Sequence, residues 1–113
     1  MTQQNGENDM LLIDFSTLEK TTLFTGRKNG KRAKERFGVR NARQFKFIAD
    51  QGQVITSSYF LGLVGEELKD LLHSLRDINE LLEHLDTDSL NDISKNECIR
   101  AVRRGLVSSN DLG

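Results

Sequence analysis

The feature that most constrains the fold is a row of apolar residues in the second half of the sequence, spaced alternately three and four positions apart. The row consists of Leu61, Val64, Leu68, Leu71, Leu75, Ile78, Leu82 and Leu85. This spacing places every member on one face of an α-helix. It therefore predicts a core helix that extends at least to Leu75, with Asp77 as the candidate start of a second helix after a break.

The same row is long enough for a coiled-coil homodimer, in which a second copy of the chain would cover it. Such dimers usually carry charged residues along both flanks of the apolar row. Here the flanking residues are Gly65, Leu72, Asn79 and Asp86 on one side and Glu67, Ser74 and Leu81 on the other. Because few of them are charged, a helix packed in the core is the favoured interpretation and the coiled-coil dimer is the alternative.

The first half of the chain contains a short apolar run followed by a basic segment. Residues 10–15 are too few for a helix and suit a buried strand. In residues 31–37, Ala33 and Phe37 stand one helical turn apart, and Gly38 follows at the position of a left-handed C-cap. This pattern predicts a short basic helix.

A second strand is predicted directly after the basic segment. Phe45, Phe47 and Ala49 alternate with three other side chains, which is the period of a β-strand. A strand, a helix and a strand in this order indicate a βαβ-like unit with parallel strands. The predicted class is therefore α/β, with a small sheet packed by helices.

The last helix is predicted from its first turn. Ser94 and Glu97 have the spacing of a capping box, and Ile93 and Cys98 have the spacing of a hydrophobic staple. We interpret Cys98 as a small buried apolar residue, because no histidine and carboxylate arrangement can be assigned to it.

The length of 113 residues suits a single domain. We expect that domain to span residues 10–107, with a disordered tail at residues 1–9 and a frayed end at residues 108–113. No apolar run approaches the ~18 to 20 residues that cross a bilayer, and the polar first residues do not resemble a secretory signal. A cytoplasmic location without membrane contact is the resulting expectation.

Charge is unevenly distributed along the chain. Residues 1–56 carry ten Lys and Arg against six acids, whereas residues 57–113 carry six against eleven, which gives +4 and −5 within the net charge of −1. Nine of the basic residues lie in residues 27–46. One interpretation is that two solvated faces partly neutralise each other. The other is a nucleic-acid or anion-binding surface, whose candidate residues are Arg27, Lys28, Lys31, Arg32 and Arg36.

No catalytic or metal site is recognisable in the sequence. One cysteine and two histidines do not supply the spacing of a structural zinc site, and no cofactor motif is present. The stretch TGRKNGKR lacks the complete phosphate-loop pattern, although its two glycines and cations suit an anion-binding nest at a helix start. We therefore expect a protein that is not an enzyme and holds neither a metal nor a cofactor.

The stretch FKFIADQGQVITSSYFLGLVG is similar in pattern to the strand, turn, serine pair and helix of STAS domains, the family of anti-sigma factor antagonists and transporter tails. It resembles more closely a small bacterial STAS-like group of unknown function, which has a Gly- and basic-rich stretch, a hydrophobic strand and a helix that starts with SSF. FTGRKNGKRAKERF lies where that group has its first loop and helix. The resemblance covers residues 10–75 and implies a STAS-like sheet.

The resemblance also implies a regulatory site. In the antagonist branch, a partner kinase phosphorylates the second hydroxyl residue at the start of this helix, and the motif is an acid, two hydroxyl residues and a glycine. Thr56, Ser57, Ser58 and Tyr59 occupy these four places, so Ser58 matches the modified residue. Two places depart from the motif, and the Tyr59 ring would crowd a docking kinase. The alternative is structural, because the side-chain oxygen of Thr56 or Ser57 can cap the helix.

The sequence thus favours a non-enzymatic, STAS-like regulatory or protein-interaction module. Its expected partner is a protein, and the resemblance implies a kinase-like ATPase. Nucleic-acid binding by residues 27–46 and dimerisation through a coiled coil are the two alternatives.

Overall fold

The computed structural model describes residues 9–106. The strands are β1 (Met10–Asp14), β2 (Leu23–Phe24), β3 (Gln44–Ile48), β4 (Val54–Ile55) and β5 (Leu85–Ser89). The helices are α1 (Arg27–Arg32), α2 (Ser57–Leu72), α3 (Ile78–Glu83) and α4 (Asp92–Arg100), and a π-helical segment, Ala101–Gly105, continues α4. No helix among the described residues has both the length and the apolar character needed to cross a bilayer.

The described strands form two parallel sheets. In the larger sheet β3 lies between β1 and β5, and the register with β1 runs from Met10 opposite Gln44 to Asp14 opposite Ile48. In the smaller sheet β2 pairs with β4. Since α1 lies in the chain between the neighbouring parallel strands β1 and β3, the predicted α/β class and βαβ-like unit are confirmed.

The core is centred on an aromatic cluster. The fully buried ring of Phe15, directly after β1, lies with its centre 5.1 to 6.4 Å from the centres of five other rings. Those rings belong to Phe24, Phe37, Phe47, Tyr59 and Phe60. Because they come from both sheets, from α2 and from the turns after α1, the cluster holds these parts of the chain together.

The strand predictions are confirmed, with one correction for β1. Phe45 and Phe47 of β3 are buried as the alternating pattern predicts. The run in β1 is buried on one face only, since Leu11 and Ile13 point into the core whereas Leu12 is 50% exposed. Before β1, the carbonyl oxygen of Asp9 accepts hydrogen bonds from the backbone N–H groups of residues 43 and 44. The rest of the predicted tails, residues 1–8 and 108–113, lies outside the described residues.

The long apolar row is divided among α2, the turn after it, α3 and the first residue of β5. The predicted helix to Leu75 is wrong, because α2 ends at Leu72 and the Ser74 hydroxyl donates to the carbonyl oxygen of Leu71 at 2.8 Å. The predicted second start is confirmed, because an Asp77 side-chain oxygen accepts a hydrogen bond from the N–H of Glu80 at 2.9 Å. All members of the row pack in or against the core. Because α2 ends at Leu72 and α3 begins at Ile78, the single continuous helix that a coiled coil requires is not formed.

The basic helix begins four residues earlier than predicted and is shorter. Residues 33–38 form turns after α1, and Gly38 has the expected left-handed conformation with φ of 63°. The N–H of Val39 donates to the carbonyl oxygen of Lys34 at 2.9 Å, which closes the end of the segment. Because of this earlier start, α1 contains Gly30, the residue at which it contacts α2.

Candidate binding surface where α1 contacts α2

Two glycines set the contact between α1 and α2. A Cβ atom added at Gly30 would overlap the carbonyl oxygen of Tyr59, and one added at Gly62 would overlap the carbonyl oxygen of Arg27. The two backbones therefore touch directly, which no larger residue at these positions permits. This contact brings the basic segment and the hydroxyl residues at the start of α2, predicted separately from the sequence, to one region of the molecule.

The hydroxyl residues are engaged mainly in holding the fold. The Thr56 hydroxyl oxygen accepts a hydrogen bond from the N–H of Tyr59 at 3.4 Å and donates to the carbonyl oxygen of Phe24 at 3.1 Å. The structural alternative, in which Thr56 caps α2, is thus confirmed. The Ser58 hydroxyl oxygen accepts from the N–H of Gly26 at 3.2 Å, so this half-buried side chain ties the loop before α1 to the start of α2.

The positive end of α2 already has a carboxylate beside it. A side-chain oxygen of Glu97 accepts a hydrogen bond from the N–H of Ser57 at 2.7 Å. The dipole of a helix favours a negative group at its N-terminus. A phosphate added to Ser57 or Ser58 would therefore stand near an existing negative charge.

Because Glu97 is used at α2, the predicted capping box of Ser94 and Glu97 is wrong. The residue that caps α4 is Asn91, whose side-chain oxygen accepts from the N–H of Ser94 at 2.8 Å. The predicted staple is also absent, because Ile93 is 59% exposed whereas Cys98 is buried. The C-terminal helix is therefore capped one turn earlier than predicted, and by a different residue.

The residues at the start of α4 bind the backbone next to β4. The fully buried Ser94 hydroxyl accepts from the N–H of Ile55 at 3.0 Å and lies 3.2 Å from the carbonyl oxygen of Gln53, to which it donates. The Asn91 side-chain nitrogen donates to the carbonyl oxygens of Gln51 and Gln53. With Glu97, these residues form a row at every third position, and we call this row the α4 polar face.

Tyr59 does not present its ring to a docking partner, contrary to the expectation from the resemblance. The side chain is 5% exposed, and its ring centre lies 5.4 Å from that of Phe24 in the aromatic cluster. Burial raises the pKa of the Tyr59 hydroxyl above its usual value, whereas the positive charge of Arg36 acts to lower it. Tyr59 is therefore a core residue.

The five candidate cations are all exposed. They are Arg27, Lys28, Lys31, Arg32 and Arg36, and we call them the basic surface. None of the five forms an ion pair with any of the residues 9–106. Their positive charge is therefore open to solvent or to a partner.

Other cations of the basic segment are neutralised within the fold. A Glu67 carboxylate oxygen lies 2.7 Å from the nitrogen of Lys34, Asp9 pairs with Arg40 at 2.9 Å, and a longer pair joins Lys46 to the second half of the chain. The interpretation that the two charged halves neutralise each other is correct for Lys34 and Lys46, but not for the basic surface.

The glycines of TGRKNGKR do not form a phosphate loop. The N–H of Gly26 donates to Ser58, and Gly30 is buried against α2. Within residues 9–106, no group of three or more His, Cys, Asp or Glu side chains is placed to hold a metal ion. Cys98 is buried as predicted, and burial raises the pKa of its thiol to about 12, which keeps it in the unreactive thiol form.

Comparison with protein-family models, with curated proteins and with solved structures found no match.

Proposed function

We propose that this protein is a non-enzymatic, STAS-like regulatory module of the cytoplasm that binds an acidic region of a protein partner through its basic surface. The observation that carries the proposal is the set of five exposed cations that no described acid neutralises. Exposed charge of one sign steers a partner of the opposite sign and aligns it. The resemblance to STAS domains favours a protein, such as a kinase-like ATPase, as that partner.

The serine pair provides the proposed control. The Ser58 hydroxyl oxygen accepts a hydrogen bond from the N–H of Gly26, the residue before α1, so a phosphate on this hydroxyl would place negative charge beside the basic surface. The added negative charge would weaken attraction to an acidic partner. Modification of Ser58 would therefore switch binding off.

Nucleic-acid binding is the second candidate function. It is favoured by the same exposed cations, because a phosphate backbone needs positive side chains without competing carboxylates. The two candidates differ in partner and agree on the surface.

The test is capture from the native host with and without nuclease treatment. Immobilised wild-type protein is compared with a variant that carries Lys28→Ala, Arg32→Ala and Arg36→Ala. The matched control carries Arg76→Ala, Lys95→Ala and Arg100→Ala, which removes the same charge outside the basic surface.

We expect a protein that survives nuclease treatment, is captured by wild type and control, and is lost with the first variant. Direct binding to duplex DNA at low salt, with a salt slope that flattens in the first variant, would support the second candidate instead. Equal capture by all three proteins would eliminate the basic surface as the binding site.

A further inference from the structure

A small pocket lies on one side of the contact between α1 and α2. Its volume is about 150 Å³, and α1 contributes Arg27 and Lys31 to its lining. Helix α2 contributes Leu61, Gly65, Glu66 and Lys69, and the π-helical segment contributes Gly105. Lys28 and Arg32, the chain neighbours of Arg27 and Lys31, do not line it.

Three positive side chains converge on this pocket against one negative side chain. Arg27 and Lys31 stand one helical turn apart, and Lys69 faces them from α2. None of the three forms an ion pair within residues 9–106, and neither does Glu66. Like charges in a small space repel one another, so a bound dianion would balance the net charge of about +2.

Lys34 shows what the fold does when it neutralises a cation of this segment. Its nitrogen donates to both carboxylate oxygens of Glu67, at 2.7 and 2.9 Å, and to the carbonyl oxygen of Leu63 at 2.9 Å. The three cations at the pocket have no such partners, although Glu66 lines the same pocket. Their charge is therefore not used to hold α1 on α2.

The size of the pocket limits what it can hold. Sites for whole small molecules usually measure roughly 300 to 1,000 Å³. At about 150 Å³, this pocket fits a compact group. The tight contact between Gly105 and Leu61, where an added Cβ atom would overlap the Leu61 side chain, forms an apolar wall on one side. A compact group with two negative charges and several hydrogen-bond acceptors matches the opposite, cationic side.

We propose that this pocket binds the phosphate group of a phosphomonoester or inorganic phosphate. Arg27 supplies a planar pair of N–H donors, and Lys31 and Lys69 supply mobile point charges to the remaining oxygens. The site does not depend on the proposed protein partner. It shares Arg27 and Lys31 with the basic surface, whereas Lys69 belongs to the pocket alone.

The first test is an NMR titration of the full-length ¹⁵N-labelled protein. Inorganic phosphate and glycerol phosphate are added separately, with sodium chloride at matched ionic strength as the control. We expect saturable shifts of the Gly65 and Gly105 amide signals with a phosphate ligand and no saturable shift with chloride. Tighter binding of inorganic phosphate would identify free phosphate as the ligand, and tighter binding of glycerol phosphate would identify a phosphomonoester. Shifts that do not saturate, or that chloride reproduces, would overturn the proposal.

The second test separates the pocket from the basic surface. Lys69→Gln should weaken phosphate binding about tenfold, which corresponds to the loss of one charge-assisted hydrogen bond. Arg32→Gln removes the same charge outside the pocket and should change the affinity less than about twofold, because only screened long-range attraction is lost. Lys31→Gln provides a second pocket variant if Lys69→Gln perturbs the fold.

Equal weakening by Lys69→Gln and Arg32→Gln, or unchanged binding by both pocket variants, would show that no defined phosphate site exists there. Partner capture is the separate readout, and Lys69→Gln should leave it intact. Loss of phosphate binding with intact capture therefore distinguishes this pocket from the proposed function.

Discussion

The α4 polar face and the basic surface are both groups of polar side chains on or next to a helix, yet the fold uses them in opposite ways. Ser94 is fully buried, and its hydroxyl makes two hydrogen bonds to the backbone around β4. Arg32 is exposed and forms no ion pair with a described residue. The difference teaches that a polar side chain with internal partners serves stability, whereas an exposed cation without them is available to a ligand. Four predictions test this division.

The largest effect is expected at Ser94. Ser94→Ala leaves the N–H of Ile55 without its acceptor in a buried position, and it removes one hydrogen bond to the carbonyl oxygen of Gln53. We expect a loss of about 2 to 4 kcal/mol in the free energy of unfolding, measured by urea denaturation. Asn96→Ala, an exposed change on the same helix, should alter it by less than about 0.5 kcal/mol. Similar values for the two variants would break the comparison.

The next effect concerns how the basic surface is positioned. Gly62→Ala introduces a methyl group onto the Arg27 carbonyl oxygen and should cost about 1 to 3 kcal/mol of stability. Gly65→Ala is the matched control, because its Cβ would lie 3.8 Å from the Leu61 side chain, which is ordinary van der Waals contact. It should stabilise α2 by about 0.5 to 1 kcal/mol, as expected for glycine replaced within a helix. If Gly65→Ala also destabilised the protein, the loss of stability in Gly62→Ala could not be assigned to the contact with Arg27.

A smaller effect is expected at the start of α2. Ser58→Ala removes the hydrogen bond from Gly26 and should cost about 0.5 to 1.5 kcal/mol. The hydroxyl of Ser57 makes no hydrogen bond to residues 9–106, so Ser57→Ala should be nearly neutral. The measurement is the thermal unfolding midpoint of each variant, which we expect to be lower for Ser58→Ala than for Ser57→Ala. A larger loss for Ser57→Ala would reverse the assignment of the two serines.

The smallest effect is expected for the basic surface. The variant with Lys28→Ala, Arg32→Ala and Arg36→Ala should change stability by less than about 0.5 kcal/mol per residue. Lys34→Ala, by contrast, leaves Glu67 without its partner and should cost about 1 to 3 kcal/mol. Urea denaturation of both variants provides the measurement. A strong loss in the triple variant would mean that these cations do stabilise the fold.

The parts of the fold that follow from local patterns could be predicted from the sequence. The alternation of Phe45 and Phe47, the break at Asp77 and the burial of Cys98 each depend on residues close in the chain. The use of Ser94 could not be predicted in the same way, because its partner Gln53 is 41 positions away. A serine three residues before a glutamate looks the same whether the pair caps its own helix or binds another segment.

The candidate site divides along the same line. Composition was sufficient to select the five cations of the basic surface, since a dense basic segment must expose most of its charge. The sequence could not show that the neighbouring cation Lys34 forms an ion pair, because this pair requires α1 to lie against α2. That contact depends on Gly30 and Gly62, which are 32 positions apart in the sequence. Helical periodicity gives no indication that two distant glycines meet.

The hydrogen bonds from α4 to β4 also bear on how this protein stays separate from other chains. The N–H groups of Val54 and Thr56 donate to the carbonyl oxygens of Thr22 and Phe24, whereas the N–H of Ile55 points to the opposite edge and donates to the Ser94 hydroxyl. An open strand edge would offer these groups to any extended peptide and so invite aggregation. By occupying that edge with side chains, α4 prevents another strand from adding there without requiring a further strand of its own.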